Sequence, residues 1–253
     1  MTGGSLGLAL QYYEEIKKKD ASAEVVLLNM VGEYVRWFEQ TYKTSLCRER
    51  TGVNFYSLGG QVRYFLLPDK VIKCLSHISG AAKNLHSKAS SLRPMSDSNS
   101  YPHAVHCARD VLTGIREQTG TGYSLLERLS VVFDGGLGFQ GKICGALAGA
   151  IMGINLLLGY DIRKMSYLQT LDDFLIGHLA LLKKKPTDKK ESFAIGKEIV
   201  KKFKDESGAL ECKDITGRTF TGWNDFQECI GTSEKCHKLI KLMIKEASNA
   251  IQK

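Results

Sequence analysis

The sequence predicts a mostly α-helical protein, and three observations carry that reading. Only four prolines occur in 253 residues, the polar stretches are rich in Lys and Glu, and apolar residues recur at helical spacings rather than alternating. No strand–helix alternation, internal repeat or low-complexity segment competes with it.

In order along the chain, residues 5–43 read as two helices. The second, Ser22–Tyr42, carries Val25, Val26, Leu27, Leu28, Val31, Val35, Trp37 and Phe38, most of them at helical spacings. Thr44–Leu67 reads as irregular, with Asn54–Ser57 and Val62–Leu67 as candidate extended pieces. Pro68 suits the first turn of a helix, which runs to about Leu92. Pro94–Pro102, PMSDSNSYP, is the clearest linker signal. It divides the chain into an N-terminal helical extension, 1–95, and a helical bundle-like C-terminal domain, 103–253. The latter reads as helices over His103–Gln118, Tyr123–Phe133, Lys142–Gly159, Lys164–Lys185 and Thr187–Lys204. A turn-rich stretch, Ala209–Gly231, then leads to a last helix capped by Thr232 or Ser233 and ending near Ile251.

One stretch organises the rest: Gly135–Tyr160, a glycine-rich turn running into an almost wholly apolar helix. Gly145, Gly149 and Gly153 recur every four residues and form one ridge. Three interior glycines cost roughly 3 kcal/mol against alanine. Close approach of another helix backbone, or of a cofactor, would offset that cost. Cys144 lies at the mouth of this helix, where unpaired N–H groups and the helix dipole favour a thiolate.

Composition narrows the partners. Lys and Arg number 35 against 27 Asp and Glu, a net charge of +8. The basic residues concentrate in 183–190 and 197–204, where Glu191, Glu198, Asp205 and Glu206 intervene, so a solvated helix face is expected rather than a nucleic-acid surface. The first fifteen residues have no basic region before an apolar run and meet acid by Glu14, so a secretory signal is not expected. The longest apolar run, Ile143–Tyr160, only reaches the lower limit for a membrane span and is dense in Gly and Ala, so a buried helix is expected. A cytoplasmic protein with seven reduced cysteines follows as the expectation, unless they hold metal or cycle.

Two nucleotide motifs overlap in the glycine loop, 135–142. Gly136-x-Gly138-x-x-Gly141 matches a dinucleotide fingerprint, with Asp161 twenty residues on. Gly136-x4-Gly141-Lys142 matches a P-loop up to Ile143, which stands where a magnesium-binding hydroxyl is needed. Both require a buried strand before the loop, and Leu129–Phe133 is short and equally able to end a helix begun near Ser124. A nucleotide-binding enzyme is thus the competing catalytic reading.

The cysteines carry more chemistry. CxxC and CxxCH are absent, so covalent haem is not expected. Instead Cys107, Cys144, Cys212, Cys229 and Cys236 are widely separated, and Cys107, Cys144 and Cys236 fall near expected helix N-termini. Packing alone would explain one lone cysteine. Four thiolates gathered by folding could hold an iron–sulfur cluster or zinc, and two could cycle as a disulfide. His106 and His237 adjoin two of these cysteines, but helix neighbours point about 100° apart, so surface or capping roles are expected. Lys142 either favours the Cys144 thiolate or faces solvent. His77 and His178 read as structural, Cys47 and Cys74 as packing residues.

HCARDVL, GGLGFQGKICGALAGAIMG, FKDESGALECKDITG and EKCHKLIKLMIKEA follow in that order over residues 103–253. This pattern resembles the C_GCAxxG_C_C family of redox-active proteins, and CGALAG, Cys144–Gly149, matches its CGAxxG motif at every fixed position. The resemblance implies that Cys107, Cys144, Cys212 and Cys236 are the functional and metal-ligating set, with Cys229 an extra. It makes Gly141, Gly145 and Gly149 part of the site. Longer relatives are similar to split-Soret cytochromes, which carry haem and an iron–sulfur cluster; without CxxCH only a [2Fe–2S] type of cluster carries over. The expected function is electron transfer through a cysteine-ligated centre to a redox partner protein, with a homodimer one way to complete the site. A helical scaffold whose cysteines only pack is the non-catalytic alternative.

Overall fold

The computed structural model describes residues 1–17, 21–89, 104–159, 165–182 and 192–252. The linker signal at 94–102, Asp161 and the basic run 183–190 lie outside the described residues. Among those described, the protein is α-helical and has no strand, only an isolated antiparallel bridge between Ile143 and Glu211. No described helix is long and apolar enough to cross a membrane.

The N-terminal part comprises α1 (Thr2–Gln11), α2 (Tyr13–Lys17), α3 (Ala21–Tyr42), α4 (Cys47–Thr51), α5 (Leu58–Leu66) and α6 (Pro68–Ala89). Val62–Leu67 was expected to be extended, yet Val62–Leu66 is helical. The Ser57 hydroxyl caps α5 by accepting from the Gly60 N–H at 3.1 Å, and Gln61 and Tyr64 bury one face three residues apart. Asn54–Ser57 is a turn, its Asn54 side chain accepting from the Tyr56 N–H. Cys47, expected to pack, is exposed.

Beyond it come α7 (Cys107–Thr119), α8 (Ser124–Leu129) with a 3-10 turn at Ser130–Phe133, α9 (Gly145–Leu158), α10 (Tyr167–Ala180) and α11 (Ser192–Ser207). Then follow α12 (Cys212–Thr216), α13 (Trp223–Thr232) and α14 (Glu234–Gln252). The stretch expected to be turns, 209–231, therefore holds two short helices. Each buries a face at helical spacing: Cys212 with Ile215, and Trp223 with Phe226 and Ile230. Ser233 is the cap expected for α14, its hydroxyl accepting from the Cys236 N–H at 3.2 Å.

The scaffold of the site is α7, α9 and α14, packed pairwise, with α11 against α9 and α14. The glycine ridge lets α7 and α9 meet. A Cβ on Gly149 would stand 2.7 Å from the Ala108 carbonyl oxygen, and one on Gly145 2.6 Å from the Cys107 Cβ. A helix backbone, not open space, offsets the cost of these glycines. A second apolar cluster joins α1 and α3 to Val131, Val132, Phe133 and Leu137, so the N-terminal helices pack on the turn and loop that precede α9.

Candidate redox centre

Residues 134–144 form a loop that chain geometry holds tightly. Gly135, Gly136, Gly138 and Gly141 have positive φ, and so do Leu137 and Phe139. A non-glycine residue there costs on the order of 1–2 kcal/mol. Burial offsets it, since Leu137 and Phe139 are both buried in apolar clusters. Gly138 backs onto α3, where a Cβ would stand 2.5 Å from the Gly32 nitrogen.

The loop does not have the form of a phosphate cradle. The N–H groups of residues 136 to 142 all donate to carbonyls within the turn and loop, at 2.7–3.4 Å. What precedes it is α8 and a 3-10 turn, not a strand. Both requirements of the nucleotide motifs are unmet.

What the loop does is bring cysteines together. Beyond it, the Cys144 N–H donates to the Leu210 carbonyl at 2.9 Å and the Cys212 N–H to the Lys142 carbonyl at 2.6 Å. This two-residue clip fixes Cys144 and Cys212 side by side. Cys107 is the first residue of α7, Cys144 the N-cap of α9, Cys212 the first residue of α12 and Cys236 lies in the first turn of α14. All four, together with Cys229 of α13, line one cavity of about 20 Å³ whose other walls include Ile215, Phe220 and Phe226. That volume holds about one water. Cys107, Cys144 and Cys212 are buried, whereas Cys229 and Cys236 are half-exposed. Gly145 and Gly149 face α7, and Gly141 faces Lys213 and Thr219; none of the three lines the cavity.

Burial dominates the thiols' acidity. It pushes Cys144 up to about 11, against hydrogen bonds from the Ala146 and Leu147 amides that favour its thiolate. Cys107 and Cys212 are raised as well, first by burial and then by neighbouring acidic groups, Asp134 and Cys144 respectively. Metal-free Cys107, Cys144 and Cys212 are therefore protonated at neutral pH. Iodoacetamide labelling of Cys144 under chelator should be slow at pH 7 and quicken about tenfold per pH unit towards pH 11. For the same reason metal-free stability is full below the ordinary thiol value of 9.0 and falls as pH rises towards about 11. Mass mapping and unfolding across that range check both.

Behind Cys107 lies a buried polar chain that the sequence reading missed. Asp134 is fully buried; one oxygen accepts from the Cys107 N–H at 3.0 Å and the other lies 2.6 Å from His106 Nδ1. His106 Nε2 is 3.4 Å from Glu24, which also pairs with Arg109. His106 is thus neither a surface residue nor a side-chain cap. It occupies the N-cap position with its ring buried 5.5 Å from that of Trp223. Burial raises the Asp134 carboxyl, and the His106 and Arg109 charges pull it back. One signal was available: Glu24 stands on the apolar stripe with Leu27, Leu28, Val31 and Val35, where an unpaired acid is not tolerated. Lys142 pairs with Glu39 at 2.7 Å rather than facing solvent freely. His77 stacks on Tyr42, and His178 sits among Phe65, Phe174 and Phe193, as structural residues do.

The described helices thus bring five cysteines of distant sequence position to one largely apolar cavity. The family described as "Putative redox-active protein (C_GCAxxG_C_C)" matches residues 105–249, and the chain belongs to it. Among curated proteins and among solved structures, nothing matches.

Proposed function

We propose that this chain transfers electrons through an iron–sulfur cluster held by Cys107, Cys144, Cys212 and Cys236. The observation that carries the reading is the convergence of these four cysteines, with Cys229, on one otherwise apolar cavity. The donor set suits the group. Iron–sulfur clusters take cysteine thiolates, four for the [2Fe–2S] and [4Fe–4S] types. Helices α7, α9 and α14 present their N-terminal turns at the cavity, which favours the negative charge of thiolate ligands. When bound, the cluster supplies a one-electron couple, and the apolar walls set its potential by excluding water.

Zinc fits less well. A mononuclear site draws four sulfurs to about 2.3 Å from one ion. Among the described residues no three His, Cys, Asp or Glu side chains converge closely enough to hold a single ion. A polynuclear cluster spreads its thiolates over several irons. The dithiol–disulfide couple is the second reading of the same thiols, and it exchanges through thiolates that burial disfavours until metal or high pH removes their protons. Cys229 and Cys236 are the half-exposed members of the set. The centre is read as working in the reducing cytoplasm with a redox partner protein.

Anaerobic purification followed by iron, sulfide and zinc analysis and an absorption spectrum tests this. Near-stoichiometric iron and sulfide, lost in Cys144→Ser and retained in Cys74→Ser, are expected. A colourless, metal-free protein with a reversible thiol couple would replace the cluster by a disulfide.

A further inference from the structure

A larger cleft, of about 430 Å³, lies among α1, α3, α4 and α6, away from every cysteine of the centre. Its size falls in the range of small-molecule sites, roughly 300–1,000 Å³. α1 turns Gly3, Gly4 and Gly7 towards it, and a Cβ on Gly7 would meet nothing within 4 Å. The opposite walls are apolar, Phe38 on α3 and Ile78 and Leu85 on α6 among them.

Tyr34, Arg50 and His77 place polar groups in this setting, and the Met1 amino group lies near Arg50. The Tyr34 hydroxyl is buried, has no hydrogen-bond partner among the described residues and lies at the glycine face of α1. Burial pushes its pKa up to about 12, so it remains a donor. The Arg50 guanidinium donates to His77 Nδ1 and lies over the Phe38 and Tyr42 rings at 4.9 and 5.2 Å. Among the described residues no ion pair joins Arg50 to a carboxylate, and no Asp or Glu lines the cleft. A lined apolar cleft, an uncompensated guanidinium and an orphan hydroxyl form a set with one chemical complement.

We infer that this cleft binds a small apolar molecule with a single anionic head, Arg50 taking the head and the glycine face of α1 taking the body. A medium-chain carboxylate is the simplest such ligand, since the guanidinium fork matches a carboxylate. The inference is independent of the cluster, because no residue is shared between the two cavities.

Titration of the full chain with decanoate, read by calorimetry and by thermal unfolding, tests it, with decanol as the uncharged control. Saturable one-to-one decanoate binding that raises the melting temperature is expected, with decanol at least about tenfold weaker. Arg50→Met should weaken decanoate about tenfold or more and leave decanol unchanged. A Cβ at Gly7 meets nothing within 4 Å, so Gly7→Leu should fold, fill the cleft and abolish binding of both. Absence of saturable decanoate binding to the wild-type chain overturns the inference, as does undiminished binding to folded Gly7→Leu.

Discussion

Gly149→Val is expected to destabilise the protein by about 3 kcal/mol or more, although valine is a better helix former than glycine. The propensity gain is under about 1 kcal/mol. Against it stands a Cβ 2.7 Å from the Ala108 carbonyl oxygen and 3.0 Å from its Cα, backbone atoms that can move only if all of α7 moves. Overpacking a tight interior costs roughly 1–3 kcal/mol for the first carbons and more for a branched group. Because Cys107 is the first residue of α7 and Cys144 caps α9, parting the helices also parts these two sulfurs. Urea unfolding of the metal-free chain reads the stability loss, and iron content of the anaerobically purified variant reads the damage to the centre. Gly149→Ala, with one carbon added, should lose about 0–2 kcal/mol and keep most of its metal. Equal stability of Gly149→Val and wild type would refute the close-approach account of the ridge.

Asp134→Ala is expected to cost about 3–5 kcal/mol, the loss that follows when one member of a buried charged network is removed. Both of its oxygens are engaged, with the Cys107 N–H and with His106, and no water reaches them. Alanine leaves the first amide of α7 and the His106 ring with one partner fewer. Asp134→Asn preserves the acceptor for the Cys107 amide and should cost about 1–2 kcal/mol. Urea midpoints at constant slope separate the two variants. If Asp134→Ala were as stable as Asp134→Asn, the carboxylate would have no anchoring role for α7, and the chain from Glu24 to Cys107 would be incidental.

The same two positions show how much the sequence disclosed. Glycines at 145, 149 and 153 announce a close contact because a helix tolerates such a ridge only where something is gained. Their spacing cannot say what comes close, since that depends on which helix the fold delivers. Asp134 gives no local sign at all: an acid before a glycine loop is ordinary, and only burial makes it exceptional. Glu24 was legible on an apolar stripe, but its partners, His106 and Arg109, come from over eighty residues away. Short helices were the weakest part of the reading. α5 is set by its Ser57 cap, α12 by the left-handed Gly217 that ends it, and all three of α5, α12 and α13 by two or three buried side chains rather than by a sustained period.

The sequence by itself determined the helical class, the four cysteine blocks and the glycine ridge, because residue type and spacing along one helix are local properties. Tertiary structure alone decided that the loop satisfies its own amides and so leaves none for a phosphate. It also decided that Cys229 joins the other four cysteines at one cavity, and that a buried acid ties Cys107 to the N-terminal helices. Those facts depend on which surfaces exclude water from one another, and water exclusion is a property of packed elements that no single segment carries.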